Sequence, residues 1–155
     1  VTVTVTGTND DPTVSATASS GFTEAADASA QNLVDSGTIA FGDVDASDVI
    51  DISYSSNNDI AWDGGTIDPA LATQLTNGFN VTTVTDAAAP GSTSWSYNVP
   101  AADLDFLAAG ETITFSYTVT ATDNQGATAT DTARRALVAA PRRRRPAVGA
   151  GARRG

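Results

Sequence analysis

Oxygen-bearing side chains are grouped in two short stretches of the chain. Residues 43–48 read Asp-Val-Asp-Ala-Ser-Asp, and residues 9–11 read Asn-Asp-Asp. In an extended loop, Asp43 and Asp45 project to the same side, and Val44 is then expected to face the core. Ca²⁺ takes about six to eight oxygen ligands from carboxylates, carbonyls and amides. Both stretches are therefore candidate calcium ligands, although Asp and Asn are also common in turns because they hydrogen-bond to local backbone.

The charges are separated along the chain. The sequence has 18 acidic and 8 basic residues, with a formal net charge of −10. All the acidic residues lie between Asp10 and Asp131, and all the basic residues are arginines at or after Arg134. An acidic body without internal cations has no ion pairs to offset its self-repulsion. Divalent cations are therefore predicted partners of this body, and nucleic acids are not.

The composition argues against an enzyme. The chain has no His, Cys or Lys, so the usual general bases and nucleophiles are missing and its many Ser residues have no His partner. Paired carboxylates are compatible with glycoside hydrolysis, but no insertion that would build a substrate pocket is evident. Nor does any stretch approach the roughly 20 apolar residues of a membrane span.

The elements that must position these side chains are short strands. Val and Thr alternate with a period of two, which places one residue type on each face of a strand. Turn-forming Gly, Pro, Asn and Asp separate the alternating runs, as in an antiparallel sandwich. The strands are predicted at 1–6, 49–55, 79–84, 93–99 and 112–122, with weaker ones at 13–18, 37–41 and 127–132.

Two short segments are predicted to be helical. Asp68 is a candidate N-cap, with a proline after it, for a helix over 70–75. Residues 101–109 are predicted to form about two turns that end at Gly110. Among the aromatic residues, Trp95 and Tyr97 share one strand face and are predicted to fill the core, whereas Trp62 lies in a turn-rich stretch and is predicted to be exposed.

The tail, 134–155, is unlike the rest of the chain. It contains eight arginines, no aromatic residue and no acidic residue. Low hydrophobicity with a single sign of charge predicts disorder. One interpretation is a basic arm that binds nucleic acid or membrane. The Arg, Ala, Pro and Gly composition also matches a GC-rich gene read out of frame, and we favour this second interpretation.

Several motifs follow one another along the chain: Gly-Thr-Asn-Asp-Asp-Pro at 7–12, Glu24, Asp-Val-Asp at 43–45, Trp-Ser-Tyr at 95–97, Ala-Gly-Glu-Thr at 109–112 and Thr-Ala-Thr-Asp-Asn-Gln-Gly at 120–126. Their order resembles the VCBS-type, cadherin-like repeats of bacterial RTX adhesins and biofilm surface proteins. The resemblance covers residues 1–132. It implies an all-β, Ig-like (cadherin-like) antiparallel Greek-key β-sandwich with one or two short helical turns.

The resemblance also implies a function. Such repeats are calcium-stabilised extenders of large adhesins, exported to the cell surface by type I secretion, that support cell adhesion or biofilm formation. Their partners are the neighbouring tandem repeats, with surface glycans or other cells as further candidates. The alternative is a calcium-dependent carbohydrate-binding module with Trp62 as its exposed aromatic residue. The implied calcium ligands are Asn9, Asp10, Glu24, Asp43, Asp45 and Asp123, with Asp11 and Asp48 as secondary candidates.

Three parts of the chain are expected from this resemblance. Residues 1–10 correspond to the closing strand and linker of a preceding repeat, 11–133 to the Ig-like repeat, and 134–155 to the tail. After Thr132 such a repeat continues with another Val-Thr string, where this chain has Arg134 and Arg135. The last strand is therefore predicted to be truncated, which leaves an open sheet edge. Residues 1–6 of this chain or of a neighbour are expected to fill that edge.

Overall fold

Ten β-strands and one α-helix form the regular structure of residues 1–141, the part of the chain that this computed structural model describes. The elements are β1 (Thr13–Ala16), β2 (Phe22–Thr23), β3 (Gln31–Gly42), β4 (Val49–Ser56), β5 (Ala61–Trp62), α1 (Pro69–Thr76), β6 (Phe79–Val81), β7 (Val84–Ala88), β8 (Gly91–Ala102), β9 (Thr112–Asp123) and β10 (Thr128–Val138).

The strands form two sheets. The first has the order β1-β3-β8-β6, and the second has the order β2-β10-β9-β4-β7, with β5 also paired to β9. All the pairs are antiparallel except β2 and β10, which run parallel. The predicted all-β, Ig-like sandwich is confirmed.

Alternating aromatic residues join the two sheets. Trp95 and Tyr97 on β8 and Phe115 and Tyr117 on β9 are each at most 3% exposed. The ring centroids of Tyr97 and Phe115 lie 6.0 Å apart across the sandwich, and Phe79 on β6 stacks on Tyr117 at 4.3 Å. The period of two thus puts the large side chains of both sheets into one core, as predicted for Trp95 and Tyr97.

The helix α1 is held at both ends by hydrogen bonds. The Asp68 carboxylate accepts from two backbone N–H groups of the first turn, as its predicted N-cap role requires. At the other end, the Tyr97 and Tyr117 hydroxyls donate to the carbonyls of Leu75 and Thr76 at 2.8 and 2.7 Å. Burial raises the pKa of both tyrosines, so both remain protonated donors at neutral pH.

The predicted helix over 101–109 is wrong. Residues 101–102 end β8, and the following residues form turns. Asp105 explains the difference, because its side chain accepts from the N–H of Ala28 at 2.7 Å and its own N–H donates to the side chain of Asp103 at 3.2 Å. Such side-chain bonds to the backbone compete with helix formation. The predicted strand 79–84 is also divided between β6 and β7, in different sheets.

The last strand is longer than predicted. β10 pairs with β9 from Thr128 to Val138, so the boundary predicted at 134 is wrong for residues 134–138. The backbone ladder continues because pairing depends on N–H and C=O groups, which Arg residues supply as well as Val. Period-two geometry then turns Arg135 into the core, where it is 1% exposed. Residues 139–141 of the predicted tail follow β10 without regular structure, and residues 142–155 lie outside the described residues.

Residues 1–6 are not part of either sheet. They form no strand, and Val1, Val3 and Val5 are all highly exposed. The sheet edge that they were expected to fill is occupied by β10, whose Leu137 pairs with Ile113 on one side and Phe22 on the other. The expectation of a truncated last strand filled by residues 1–6 of this chain is therefore wrong.

Candidate metal centre

Three segments of the chain meet at one end of the sandwich. The loop 43–48 follows β3, the turn 124–127 joins β9 to β10, and residues 7–12 lead into β1. Two strand pairings bring these segments together, because Thr13 lies opposite Gly42 and Ile50 lies opposite Asp123. Both predicted oxygen-rich stretches therefore lie at this end, next to the turn that begins at Asp123.

Three carboxylates converge there, and we call them the carboxylate cluster: Asp43, Asp48 and Asp123. One oxygen from each lies within 4.8 Å of the other two. Asp48 and Asp123 are each only 5% exposed. Calcium–oxygen distances are about 2.3–2.6 Å, so two ligands of one ion lie at most about 5 Å apart. The spacing and the hard oxygen donors both fit a single calcium ion.

Local turns use one oxygen of two of these carboxylates. Asp43 Oδ1 accepts from the N–H of Asp45 at 2.9 Å, and Asp123 Oδ1 accepts from the N–H groups of Gln125 and Ala127, both at 2.8 Å. These bonds fix the two loops and leave the second oxygen of each carboxylate for other partners. Asp43 Oδ2 is buried and has no hydrogen-bond partner among residues 1–141. A buried, unpartnered carboxylate oxygen is costly and marks the place where a cation would compensate it.

Two side-chain amides link the cluster to the entering segment. Asn9 Nδ2 donates to Asp123 Oδ2 at 2.7 Å, and Gln125 Nε2 donates to Asn9 Oδ1 at 2.6 Å. Gln125 Nε2 also lies 3.0 and 3.2 Å from the two oxygens of Asp48. The amides thus supply the N–H donors that partly balance the negative charge of the cluster.

Two members of the cluster have pKa values that are shifted in opposite directions. Burial is the main cause that raises the pKa of Asp48, and the charges of Asp43, Asp45 and Asp123 raise it further. The pKa of Asp123 is lowered, chiefly by the hydrogen bond from Asn9 and then by backbone donors of its turn. A nearby positive charge would favour the charged form of Asp48 and offset the effect of its burial.

The other predicted ligands have different surroundings. Asp45 Oδ2 accepts from the N–H of Asp10 at 2.8 Å, so this carboxylate holds the backbone of the entering segment. Asp11 is exposed. Val44 is 76% exposed, so the expectation that it faces the core is wrong. It points outward because the loop turns at Asp43 instead of continuing as an extended strand.

Glu24 lies at the opposite end of the sandwich. Its N–H donates to the carbonyl of Val138, which pairs with Thr112 at the start of β9, whereas Asp123 ends β9. At about 3.3 Å per residue, the two ends of β9 lie more than 30 Å apart. Glu24 and the carboxylate cluster are therefore too far apart to bind the same ion.

Gln125 is the residue that the sequence prediction missed. Its place in an Asp-Asn-Gln-Gly turn predicts only a turn, because a Gln side chain carries no charge to attract notice. Asp48 was only a secondary candidate, yet it is one of the most buried acids of the described residues. Its spacing from Asp43 was the available signal, since both residues frame the same loop.

Two solved structures have a similar fold. The ASH/PapD-like domain of human CEP192 (PapD-like domain 7) is 6% identical, with a TM-score of 0.45, over 92% of this chain and 94% of that chain. AggA, the major subunit of aggregative adherence fimbriae type I from Escherichia coli, is 11% identical, with a TM-score of 0.40, over 87% and 99%. No family model and no curated protein matches the chain. At these identities the likeness is one of fold alone.

Between residues 1 and 141, no helix has the length and apolar character needed to cross a bilayer.

Proposed function

We propose that this domain is a calcium-stabilised structural repeat of a large secreted bacterial adhesin that supports cell adhesion or biofilm formation. The observation that carries the proposal is the buried, unpartnered Asp43 Oδ2 beside Asp48 and Asp123. The motif order of VCBS-type repeats supports it independently, because the loop and the turn of that motif order are the ones that form the cluster.

Asp43, Asp48 and Asp123 would hold the ion, and Asn9 and Gln125 are next to it. Bound calcium would supply the positive charge that this end of the domain lacks. Residues 1–141 contain no Lys and only two Arg, and both arginines are on β10. The three carboxylates repel one another without a cation, so the two loops that carry them are stabilised together when that repulsion is removed.

The side-chain amides of Asn9 and Gln125 can present either an N–H donor or an oxygen acceptor to the cluster. Asn9 and Gln125 direct their nitrogens at carboxylates. Rotating each amide by half a turn would direct its oxygen at the same place, and amide oxygens are calcium ligands. Asn9 and Gln125 are hydrogen-bonded to each other, so their rotations would be coupled.

The mechanical consequence concerns the segment 1–10. Asn9 and Asp10 are fastened to Asp123 and Asp45 at 2.7 and 2.8 Å, so the loops determine the direction in which this segment leaves the domain. Stabilising the loops therefore stiffens the connection to a preceding repeat. A chain of such repeats would be flexible in the low calcium of a bacterial cell during type I secretion and rigid outside it.

Thermal unfolding of the full chain in calcium and in EGTA tests this proposal. Extracellular calcium modules have dissociation constants of about 0.1–1 mM, so calcium at ten to a hundred times that value adds about 1.4–2.7 kcal/mol. For a domain of this size, that gain raises the Tm by about 3–10 °C. Equal Tm values in the two buffers would contradict the proposal.

Two matched variants locate the ion. Asp43→Asn removes one charge from the carboxylate cluster and should abolish most of the calcium-dependent rise in Tm. Glu24→Gln removes one charge at the far end of the sandwich and should leave the rise unchanged. An equal reduction in both variants would show that calcium acts on net charge and not at the cluster. Circular dichroism of each variant in EGTA checks that the fold is kept.

A further inference from the structure

A second concave site lies at the other end of the sandwich, between α1 and the loop that follows β8. It is a groove of about 580 Å³, within the range of small-molecule sites. Its lining residues include Trp62, Phe106, Asp68, Asp103, Gln74 and Leu71, and we call it the Trp62–Phe106 groove. Trp62 pairs with Ile113 near the start of β9, so the groove lies about 33 Å along that strand from Asp123.

Two aromatic rings form a corner of the groove. The ring centroids of Trp62 and Phe106 lie 4.8 Å apart, and the ring planes meet at 81°. Phe106 is 40% exposed, which is unusual for so large an apolar side chain in this domain. Trp62 was predicted to be exposed and is partly buried, because its indole N–H donates to Glu111 Oε2 at 3.1 Å. The same oxygen accepts from the N–H of Ala108 at 2.8 Å, so Glu111 fixes both sides of the corner.

The charged side chains of the groove, Asp68 and Asp103, are acceptors. Asp68 Oδ1 caps α1 and Asp103 Oδ1 accepts from the N–H of Asp105, whereas no hydrogen bond from residues 1–141 reaches Oδ2 of either carboxylate. Gln74 donates its amide nitrogen to the carbonyl of Pro100 at 2.8 Å, and its Oε1 accepts no hydrogen bond from the described residues. The groove therefore offers two negative charges, and none of its lining residues is basic.

We propose that the Trp62–Phe106 groove binds a small organic ammonium ligand. An ammonium group carries the N–H donors and the positive charge that the free oxygens of Asp68 and Asp103 lack. Aromatic faces attract the same charge through their quadrupoles. A neutral polyol would gain only the hydrogen bonds and none of the charge terms, so this chemistry selects an amine over a neutral ligand of the same shape. The inference does not depend on the proposed calcium function.

Glucosamine and glucose are the matched probes, because they share a ring and differ in the ammonium group. The measurement is a ¹H–¹⁵N NMR titration of the full chain, followed at the indole N–H of Trp62. The indole signal of the buried Trp95 is the internal control. Glucosamine should shift the Trp62 signal saturably without moving that of Trp95, and glucose at equal concentration should not shift it. Equal shifts with both sugars, or no saturable shift with glucosamine, would overturn the proposal.

Two isosteric variants separate a site from general attraction to an acidic protein. Asp103→Asn keeps the oxygen that accepts from Asp105 and should weaken glucosamine binding about tenfold, the scale of one charge-assisted contact. Asp68 is unsuitable because it caps α1. Asp86→Asn, which removes a charge on β7 outside the groove, should have no effect. Equal weakening in both variants would overturn the proposal.

The titration is repeated in EGTA and in saturating calcium. The Trp62 shift should be the same in both buffers, because the carboxylate cluster lies at the far end of β9. Loss of the shift in calcium would show that calcium and glucosamine compete for the groove carboxylates, so that the groove does not select an organic ammonium ligand; this would overturn the groove proposal without affecting the calcium proposal.

Discussion

Arg135 carries a charge into the aromatic core, and replacing it with Met should stabilise the fold. Its guanidinium carbon lies 4.1 Å from the ring centroid of Trp95 and 4.8 Å from that of Phe79. Nη1 donates to the carbonyl of Arg134 at 2.9 Å, while Nε and Nη2 are buried without a partner in the described part of the chain, residues 1–141. Burial lowers the pKa of Arg135, but a guanidinium remains charged at neutral pH. The core thus holds a cation that no carboxylate hydrogen-bonds.

The expected gain follows from opposing terms. Each buried donor left without a partner costs about 1–3 kcal/mol, and Arg135 has two of them. Cation–π contacts with the aromatic rings stabilise a desolvated cation by about 2 kcal/mol. Replacing buried ionic groups with apolar side chains of similar volume stabilises proteins by up to about 4 kcal/mol. Met is unbranched and packs well against aromatic rings, so we expect Arg135→Met to add about 2 kcal/mol to the free energy of unfolding.

Urea denaturation in EGTA measures this gain from the midpoint and slope of the transition. Arg134→Met is the matched control, because Arg134 is the exposed neighbour and its loss changes the net charge equally. That control should change the free energy of unfolding by less than about 0.5 kcal/mol. A lower midpoint for Arg135→Met than for the wild-type chain would refute the reasoning, since it would mean that the ring contacts outweigh the missing hydrogen bonds.

Two further predictions concern the carboxylate cluster. Asp48→Asn removes the carboxylate whose pKa is raised, so it should increase the Tm in EGTA. It should also weaken calcium binding more than about tenfold, because changes to residues that only support the metal ligands already cost that much. The control Asp86→Asn should change neither quantity, and a lower Tm in EGTA for Asp48→Asn would contradict the assignment of Asp48 to the ion. Asp48 binds its proton more tightly in the folded state than in the unfolded state. The free energy of unfolding in EGTA should therefore rise as the pH falls from the folded pKa of Asp48 towards 3.8, its ordinary value. Over the same range the calcium affinity measured by calorimetry should fall. Below pH 3.8 the free energy of unfolding should fall again. Asp27, Asp63 and Asp123 have lowered pKa values in the folded state, so the stability that their charged forms contribute is lost as they take up protons. A calcium affinity that did not change with pH would argue against Asp48 as a ligand.

Period-two patterning was sufficient to predict most of the sandwich. The alternation over 112–122 predicted β9 to within one residue, and the same reasoning placed Trp95 and Tyr97 in the core. The short helix was also predictable, because Asp68 and the following proline are local signals. These features depend on neighbours in sequence, and a strand or a helix turn is built from such neighbours.

The carboxylate cluster was only partly predictable, because its members come from loops that are far apart in sequence. The spacing of Asp43 and Asp45 suggested that both were ligands, but the structure turns Asp45 to the backbone of Asp10 and brings Asp48 beside Asp123. Which carboxylates converge depends on how two loops, far apart in sequence, meet after β3, β4 and β9 have paired. Sequence spacing carries no information about that meeting, so Asp48 was underrated and Gln125 was missed.

β10 shows where alternation fails as a signal although the strand remains. Ala133, Arg135, Leu137 and Ala139 point inward at every second position, and each is at most 5% exposed. Because the inward series includes an Arg and two small alanines, hydrophobic alternation disappears from the sequence while the backbone ladder with β9 continues to Val138. Strand pairing therefore dictates the position of Arg135, and the aromatic rings around it partly compensate for its charge. If Arg135→Met stabilises the domain as expected, this strand is held in the sandwich by its partner strands and not by the suitability of its own side chains.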